Sequence, residues 1–280
     1  MATSTTKTDS CGDRRVIPNI LSIAGTDPTG GAGIHADLKT FGALKTYGMA
    51  VITAVVAQNT QGVRSFQALD AEFVADQIDA VFEDVRVDVV KIGMVATAAI
   101  AETVAARLRH HGAKKIVLDP VMVAKNGDHL LHPDAVAAIR EILVPLATII
   151  TPNLPEAAVL LDAEPHWSIA EMHRRAAELR QLGSAWVLLK GGHLKASSMS
   201  PDILHGEGIT LELSAPRIRT RNDHGTGCTL SAAIAALLSR HAVEPAVRAA
   251  KEYLNAALAA SDRLDVGKGH GPLHHFYESS

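Results

Sequence analysis

Short apolar runs alternate along this chain with amphipathic, alanine-rich stretches. Runs at Asn19–Ala24, Ala50–Ala57, Val89–Ile92, Lys115–Leu118, Thr148–Thr151 and Trp186–Lys190 are β-prone, and each closes on Gly, Asp, Pro or Asn. Helical periodicity fills the intervals, at 33–46, 71–83, 97–110, 134–146, 154–161 and 168–182, with two further helices at 227–240 and 245–262. Local signals agree: Ser168 with Glu171 is a capping box, Pro133 and Asp134 open a helix, and Gly112 and Gly183 stop helices that lead into strands. Such alternation predicts parallel strands joined by crossover helices, an α/β sandwich. Ile203–His205 and Ile209–Leu213 flank Gly206-Glu207-Gly208 as a hairpin would, which predicts an antiparallel edge. In open parallel sheets ligands bind beyond the C-terminal strand ends, so the residues closing each run carry the functional weight.

Composition narrows the classes. With 280 residues, 47% hydrophobic and 20% charged, and no linker or long repeat, the chain predicts one domain over 16–280 behind a polar, disordered tail at 1–15. A net charge of −3 from 27 basic and 30 acidic residues argues against a nucleic-acid or membrane surface as partner. No apolar run approaches the ~18 residues of a membrane span, and the first residues lack a secretory apolar region, so the cytoplasm is the expected location. Cys11 and Cys228 are too few for a disulfide framework and wrongly spaced for zinc.

Three constellations could carry chemistry. The first, Gly25-Thr26-Asp27-Pro28-Thr29-Gly30-Gly31-Ala32-Gly33, runs from a strand into a helix. Its Gly31-Ala32-Gly33-Ile34-His35-Ala36 formally matches a dinucleotide fingerprint. That motif should follow its strand at once, yet six residues intervene, and the next strand ends in Gln58-Asn59 rather than an acid. Asp37, one turn into the helix, is expected to face the loop and accept from a polar ligand; a capping or surface carboxylate is the other reading. The second, Arg221 to Leu230, places Gly225, Thr226, Gly227 and Cys228 where a helix begins, so free N–H groups and the helix dipole favour an anion. The same field is expected to lower the Cys228 thiol pKa, which makes it a candidate base or nucleophile; a small buried hydrophobe is the other reading.

The third gathers Asp119, Asn153, Glu156 and Lys190 at successive strand ends. Singly each reads as a cap or ion pair; together, carboxylates for hydrated Mg²⁺ and a lysine for phosphate point to phosphoryl transfer. A Walker A loop is absent, so a nucleotide must be held in another way. The segment Gly267-Lys268-Gly269-His270-Gly271-Pro272 with His274-His275 fits no zinc spacing, and is expected to be a glycine loop near a nucleotide base.

The motifs AGTDPTGGAGIHADLKTF, VITAVVAQNTQGV, KIGM, VLDPVM with AKNGD, ITPNLPEA, LLKGGH, HGTGCTLSAA and GHGPLHHF run in this order from about Ile20 to Phe276. In them the chain resembles the ribokinase superfamily, and within it the bacterial hydroxymethylpyrimidine and phosphomethylpyrimidine kinases of thiamin biosynthesis. The resemblance implies a ribokinase-like three-layer α/β/α sandwich with a mostly parallel sheet and an antiparallel edge hairpin. It implies ATP-dependent phosphorylation of 4-amino-5-hydroxymethyl-2-methylpyrimidine and then of its monophosphate. By the same carry-over, Asp37 and Gln58 would bind the aminopyrimidine, with Val56, Met94 and Gly25 lining its pocket. Asn153 and Glu156 would organise Mg²⁺ and the phosphates, with Asp119 nearby and Lys190 on phosphate. Gly225, Thr226, Gly227 and Cys228 would form the anion hole, with Cys228 as base. A homodimer is implied too, and a monovalent cation is left open. Lys268 departs from the family pattern, with an effect expected at the nucleotide end. Pyridoxine or pyridoxal kinase activity is the nearest rival, followed by a non-catalytic pyrimidine-binding protein. Ala124–His129 and Leu194–Pro201, polar or small-residue loops after strands, are the candidate lids.

Overall fold

The computed structural model describes residues 16–122, 133–192, 194 and 198–279. Its strands are β1 (Asn19–Ala24), β2 (Tyr47–Ile52), β3 (Ala54–Asn59), β4 (Gly62–Ala68), β5 (Val89–Ile92), β6 (Ile116–Leu118), β7 (Ile149–Ile150), β8 (Trp186–Lys190), β9 (Met199–Gly206) and β10 (Ile209–Pro216). Eight of them form one sheet in the order β10-β9-β8-β7-β6-β5-β1-β2. The run from β2 to β8 is parallel, whereas β9 and β10 are antiparallel and close one edge as expected. The hairpin is longer than its sequence signal, because β9 also pairs antiparallel with β8.

Helices cover both faces. α1 (Gly33–Ala43), α7 (Thr226–Leu238) and α8 (Val243–Ala259) share a core with Ile20, Val89 and Val117. α2 (Ala71–Asp84), α3 (Ala98–His110), α4 (Pro133–Ala138), α5 (Leu154–Leu161) and α6 (Ile169–Arg180) lie on the other face, on Leu21, Ile23, Val90 and Ile92. Successive strand residues point to opposite faces, so a strand covered on both sides must be apolar at nearly every position. Any polar residue within it is then an exception that needs a partner. α7 is buried from Thr229 through Ala236, and this nearly all-round burial explains its uniformly apolar sequence. Among the described residues no helix is long and apolar enough to cross a membrane.

Several expected boundaries change. The run Ala50–Ala57 is not one strand: Thr53 gives its N–H to Ala24 O (3.1 Å) and its hydroxyl to Met94 O (2.6 Å), ending β2. The chain then leaves the sheet as β3 and pairs with β4 in a separate hairpin, which the sequence reading missed. The helix expected over 134–146 holds α-helical geometry only in α4; Ile139–Leu143 widens to a π turn and Val144–Leu146 tightens to a 3₁₀ turn. Pro145 lacks the N–H that would continue the ladder. The tail with Cys11 and the segment Ala124–His129 lie outside the described residues. In the other expected lid, Met199–Pro201 are the start of β9 rather than loop.

Candidate active site

The C-terminal strand ends open into a cavity of about 770 Å³. α7 points its N-terminus into it: Gly225, Thr226, Gly227 and Cys228 all line the wall, and no side chain caps the helix. The first-turn N–H groups therefore face the cavity with the positive end of the helix dipole. Gly225 is required twice over. Its φ is +80°, and an added Cβ would lie 1.8 Å from Gly31 O, so the anion loop packs directly on the first glycine loop.

Cys228 keeps partial exposure at this wall. Its thiol, however, is not acidified as expected. Burial pushes its pKa up to about 11, Asp37 and Asp119 add to the rise, and Lys91 with the Gly33 N–H only partly offset it. The helix dipole favours the thiolate, but removal from water disfavours it more.

Across from α7 lies the charged rim. Asp119 accepts from Lys190 Nζ (3.1 Å), Thr151 (3.0 Å) and Ser231 (3.2 Å), and Lys190 Nζ also lies 3.9 Å from Glu156. A Cβ at Gly227 would sit 3.3 Å from Lys190 Nζ, so lysine and helix N-terminus converge on one place. Asn153 and Glu156 cap α5 reciprocally: Asn153 N–H donates to Glu156 (2.8 Å) and Glu156 N–H to Asn153 (2.9 Å). Burial raises the Glu156 carboxyl to about 7, with Lys190 lowering it and Asp119 raising it. Burial opposes the charge on Asp119 as well, but the Lys190 and Lys91 ammoniums hold its carboxyl below the usual range. Mg²⁺ takes one or two carboxylates and completes its shell with water and phosphate oxygens. Asp119 and Glu156, beside the uncapped N-terminus of α7, fit that donor set.

The other end of the cavity is framed by the β3–β4 hairpin. Ala54, Val56 and Gln58 share one face of β3, and Val56 N–H donates to Thr26 Oγ1 (3.0 Å), fixing the strand over the glycine loop. Gln58 and Val56 line the cavity, as do Gly25 and Met94. Asp27, missed by the sequence reading, organises that loop. Fully buried, it accepts from Thr29 N–H and hydroxyl, from Gly31 and Ala32 N–H, and from His224 Nε2 at 2.8 Å. Burial opposes its charge, yet the hydrogen bonds of His224, Thr29 and Gln58 hold its carboxyl well below the ordinary range.

Asp37 is placed differently from the expectation. It is fully buried behind the cavity wall, accepting from Ser22 Oγ (2.6 Å) and Lys91 Nζ (2.8 Å), and does not line the cavity. The reason is register. Ser22 and Lys91 are paired neighbours on β1 and β5, both facing α1, and the α1 carboxylate meets both. Lys91, also without solvent exposure, backs the cavity wall, and its charge acts on Cys228. Burial works against its ammonium, but Asp37, with Asp119 and Cys228 nearby, more than offsets that and holds it charged. A lysine inside an otherwise apolar strand was the available signal for this pair.

The glycine-rich C-terminal segment lies outside the cavity lining. Residues 267–272 pack instead on Thr60, at the hairpin tip, and on Asn222. Lys268 is exposed and does not line the cavity. The cavity instead extends past Pro216, Arg217 and Ile218 to Leu254, Asn255 and Leu258 of α8, a slot with apolar walls and a few polar groups.

A model of the family described as phosphomethylpyrimidine kinase matches residues 27–274. The chain belongs to this family. The hydroxymethylpyrimidine/phosphomethylpyrimidine kinase of Salmonella typhimurium strain LT2 is 55% identical over 260 residues, covering 92% of this chain and 97% of the relative. Among solved structures, the phosphomethylpyrimidine kinase of Clostridium difficile 630 superposes with a TM-score of 0.77 at 42% identity, covering 86% of this chain and 99% of that one. The pyridoxal kinase of Staphylococcus aureus, in complex with AMP-PCP and pyridoxal, gives a TM-score of 0.86 at 30% identity over 94% and 95% of the two chains. As a member of the phosphomethylpyrimidine kinase family, the protein is a kinase with the ribokinase-like fold.

Proposed function

We propose that the protein transfers the γ-phosphoryl group of ATP to the hydroxymethyl oxygen of 4-amino-5-hydroxymethyl-2-methylpyrimidine, and then phosphorylates the monophosphate to the diphosphate. The observation carrying this reading is that Gln58 and Val56 share one cavity with Cys228, Lys190 and the open N-terminus of α7. Gln58 presents an amide that can both donate to and accept from an aminopyrimidine edge, with Val56, Gly25 and Met94 as walls. The Gly225–Cys228 backbone and Lys190 stabilise the transferring phosphoryl group. Cys228, in its thiolate form, takes the hydroxyl proton to become the thiol as the hydroxyl oxygen bonds to the phosphoryl group. When bound, Mg²⁺ neutralises phosphate charge; Asp119 and Glu156, with Asn153 fixing the latter, are the groups that hold it, directly or through water. The slot between β10 and α8 receives the adenosine end.

The test is to incubate the protein with Mg²⁺ and ATP plus hydroxymethylpyrimidine, its monophosphate, pyridoxal or ribose, and to read the products by mass spectrometry. Phosphorylation of both pyrimidines is the expected result. The likeness to the pyridoxal kinase of Staphylococcus aureus favours pyridoxal as the second reading, and reaction with pyridoxal alone would replace the pyrimidine assignment. Glu156→Gln should raise the Mg²⁺ concentration for half-maximal velocity about 10–100-fold, the usual cost of losing a group that orients a metal's ligands. An unchanged Mg²⁺ titration would reduce Glu156 to a helix cap.

A further inference from the structure

We infer that Thr60 is a positioning residue for substrate, anchoring the tip of the β3–β4 hairpin through the C-terminal glycine segment so that Gln58 is held over the cavity. This builds on the pyrimidine-kinase reading for what Gln58 binds. A two-stranded hairpin detached from its main sheet is marginal alone and needs outside anchors. At its base, Thr26 is tied to both Ala54 O (3.0 Å) and Val56 N–H (3.0 Å). Gln58 lies beyond that anchor, after a register shift between Ala57 and Gln58 that loosens the ladder where the substrate contact is made.

Gln58 also hydrogen-bonds Asp27, and Thr60 anchors the tip beyond it. It is buried, and it accepts Gly269 N–H on its hydroxyl (3.1 Å) and His270 N–H on its carbonyl (2.8 Å). The same segment continues onto the phosphoryl-transfer side: His270 Nδ1 meets Asp223 Oδ1 (2.9 Å), and His224 N–H donates to Gly271 O (3.0 Å), one residue before Gly225. The alternate glycines follow from this geometry. An added Cβ would fall 2.2 Å from Thr60 Oγ1 at Gly267, 2.0 Å from Thr60 O at Gly269 and 2.1 Å from Asn222 Oδ1 at Gly271. The spacing that suggested a nucleotide loop is that of a strap seated on Thr60 and Asn222, joining the hairpin to the anion loop.

The experiment compares wild type, Thr60→Val, Thr60→Ser and Gly269→Ala. Thr60→Val keeps the shape and removes the acceptor, and should raise KM for hydroxymethylpyrimidine about three- to tenfold, as for one lost hydrogen bond, while kcat and the KM for ATP stay within about twofold. Thr60→Ser should restore the wild-type KM. Gly269→Ala, which displaces Thr60 by contact, should reproduce or exceed the valine effect. An unchanged pyrimidine KM in both Thr60→Val and Gly269→Ala overturns the inference, as does a matching loss in kcat and ATP KM. If wild type phosphorylates neither pyrimidine, the functional reading falls and the anchor is judged without substrate. Backbone amides of β3 and β4 should then exchange faster in Thr60→Val than in wild type, and equal exchange overturns the anchor.

Discussion

Cys228→Ala should lower kcat about 10²–10⁴-fold, the range for losing a positioned proton acceptor. KM for both substrates should change little, because phosphate is held by backbone N–H groups and Lys190, and the pyrimidine by Gln58, Val56, Gly25 and Met94. The pH profile supplies the independent check. Enclosure raises the thiol to about 11, so at neutral pH it is almost wholly protonated and the ionised fraction grows as pH rises toward that value. Wild-type kcat should therefore climb with pH above neutrality, and Cys228→Ala should lose the climb together with the rate. Steady-state kinetics from pH 6 to pH 10 would show both, on the order of one decade per pH unit if the thiolate is the acting form. A nearly unchanged rate would leave Cys228 as cavity wall only.

Asp37→Ala should destabilise the fold by about 3–5 kcal/mol, the cost of stranding one member of a buried ion pair. Lys91 and Asp37 side chains are both fully buried, so water cannot replace the lost carboxylate. Removing both charges with Asp37→Leu and Lys91→Met should restore much of the stability, because an apolar pair needs no partner. Urea unfolding of the three variants decides the matter. A single variant within about 1 kcal/mol of wild type would show that the ammonium finds another partner or loses its proton. Because the Lys91 charge acts on both Cys228 and Asp119, the rescued double variant should stay slow, separating what the pair does for the fold from what the ammonium does for the site.

The parts legible in the sequence are those in which one physical requirement dominates. β1, β5 and β8 are covered on both faces, so their apolar runs match their bounds to within a residue. The α7 N-terminus was readable because the run Gly225 to Cys228 opens a helix by backbone geometry alone. What escaped depends on partners remote in sequence. Nothing in Ala50–Ala57 marks Thr53 as the break, since its bonds go to Ala24 and Met94. β4 had a local cue in Gly62 and the β-prone residues Val63 and Phe66, but its pairing with β3 in a hairpin apart from the main sheet had none. Asp37 was correctly singled out and misdirected, because Lys91 lies 54 residues further on. The position of Cys228 was readable, whereas the burial that raises its pKa belongs to the assembled site.

The bond between Asp27 and His224 joins residues 197 positions apart, and it completes a loop on which the first glycines depend. During synthesis, the strands β1, β2, β5 and β6 can all be made before His224 leaves the ribosome. Until then the Asp27 carboxylate lacks its imidazole partner, and Gly31 lacks the His224 ring and the Gly225 backbone that pack on it. Long-range closure of this kind slows folding, since the chain must order much of itself before the contact can form. The catalytic centre is thus a late product of assembly: a nascent or prematurely terminated chain carries most of the sheet yet has no working site.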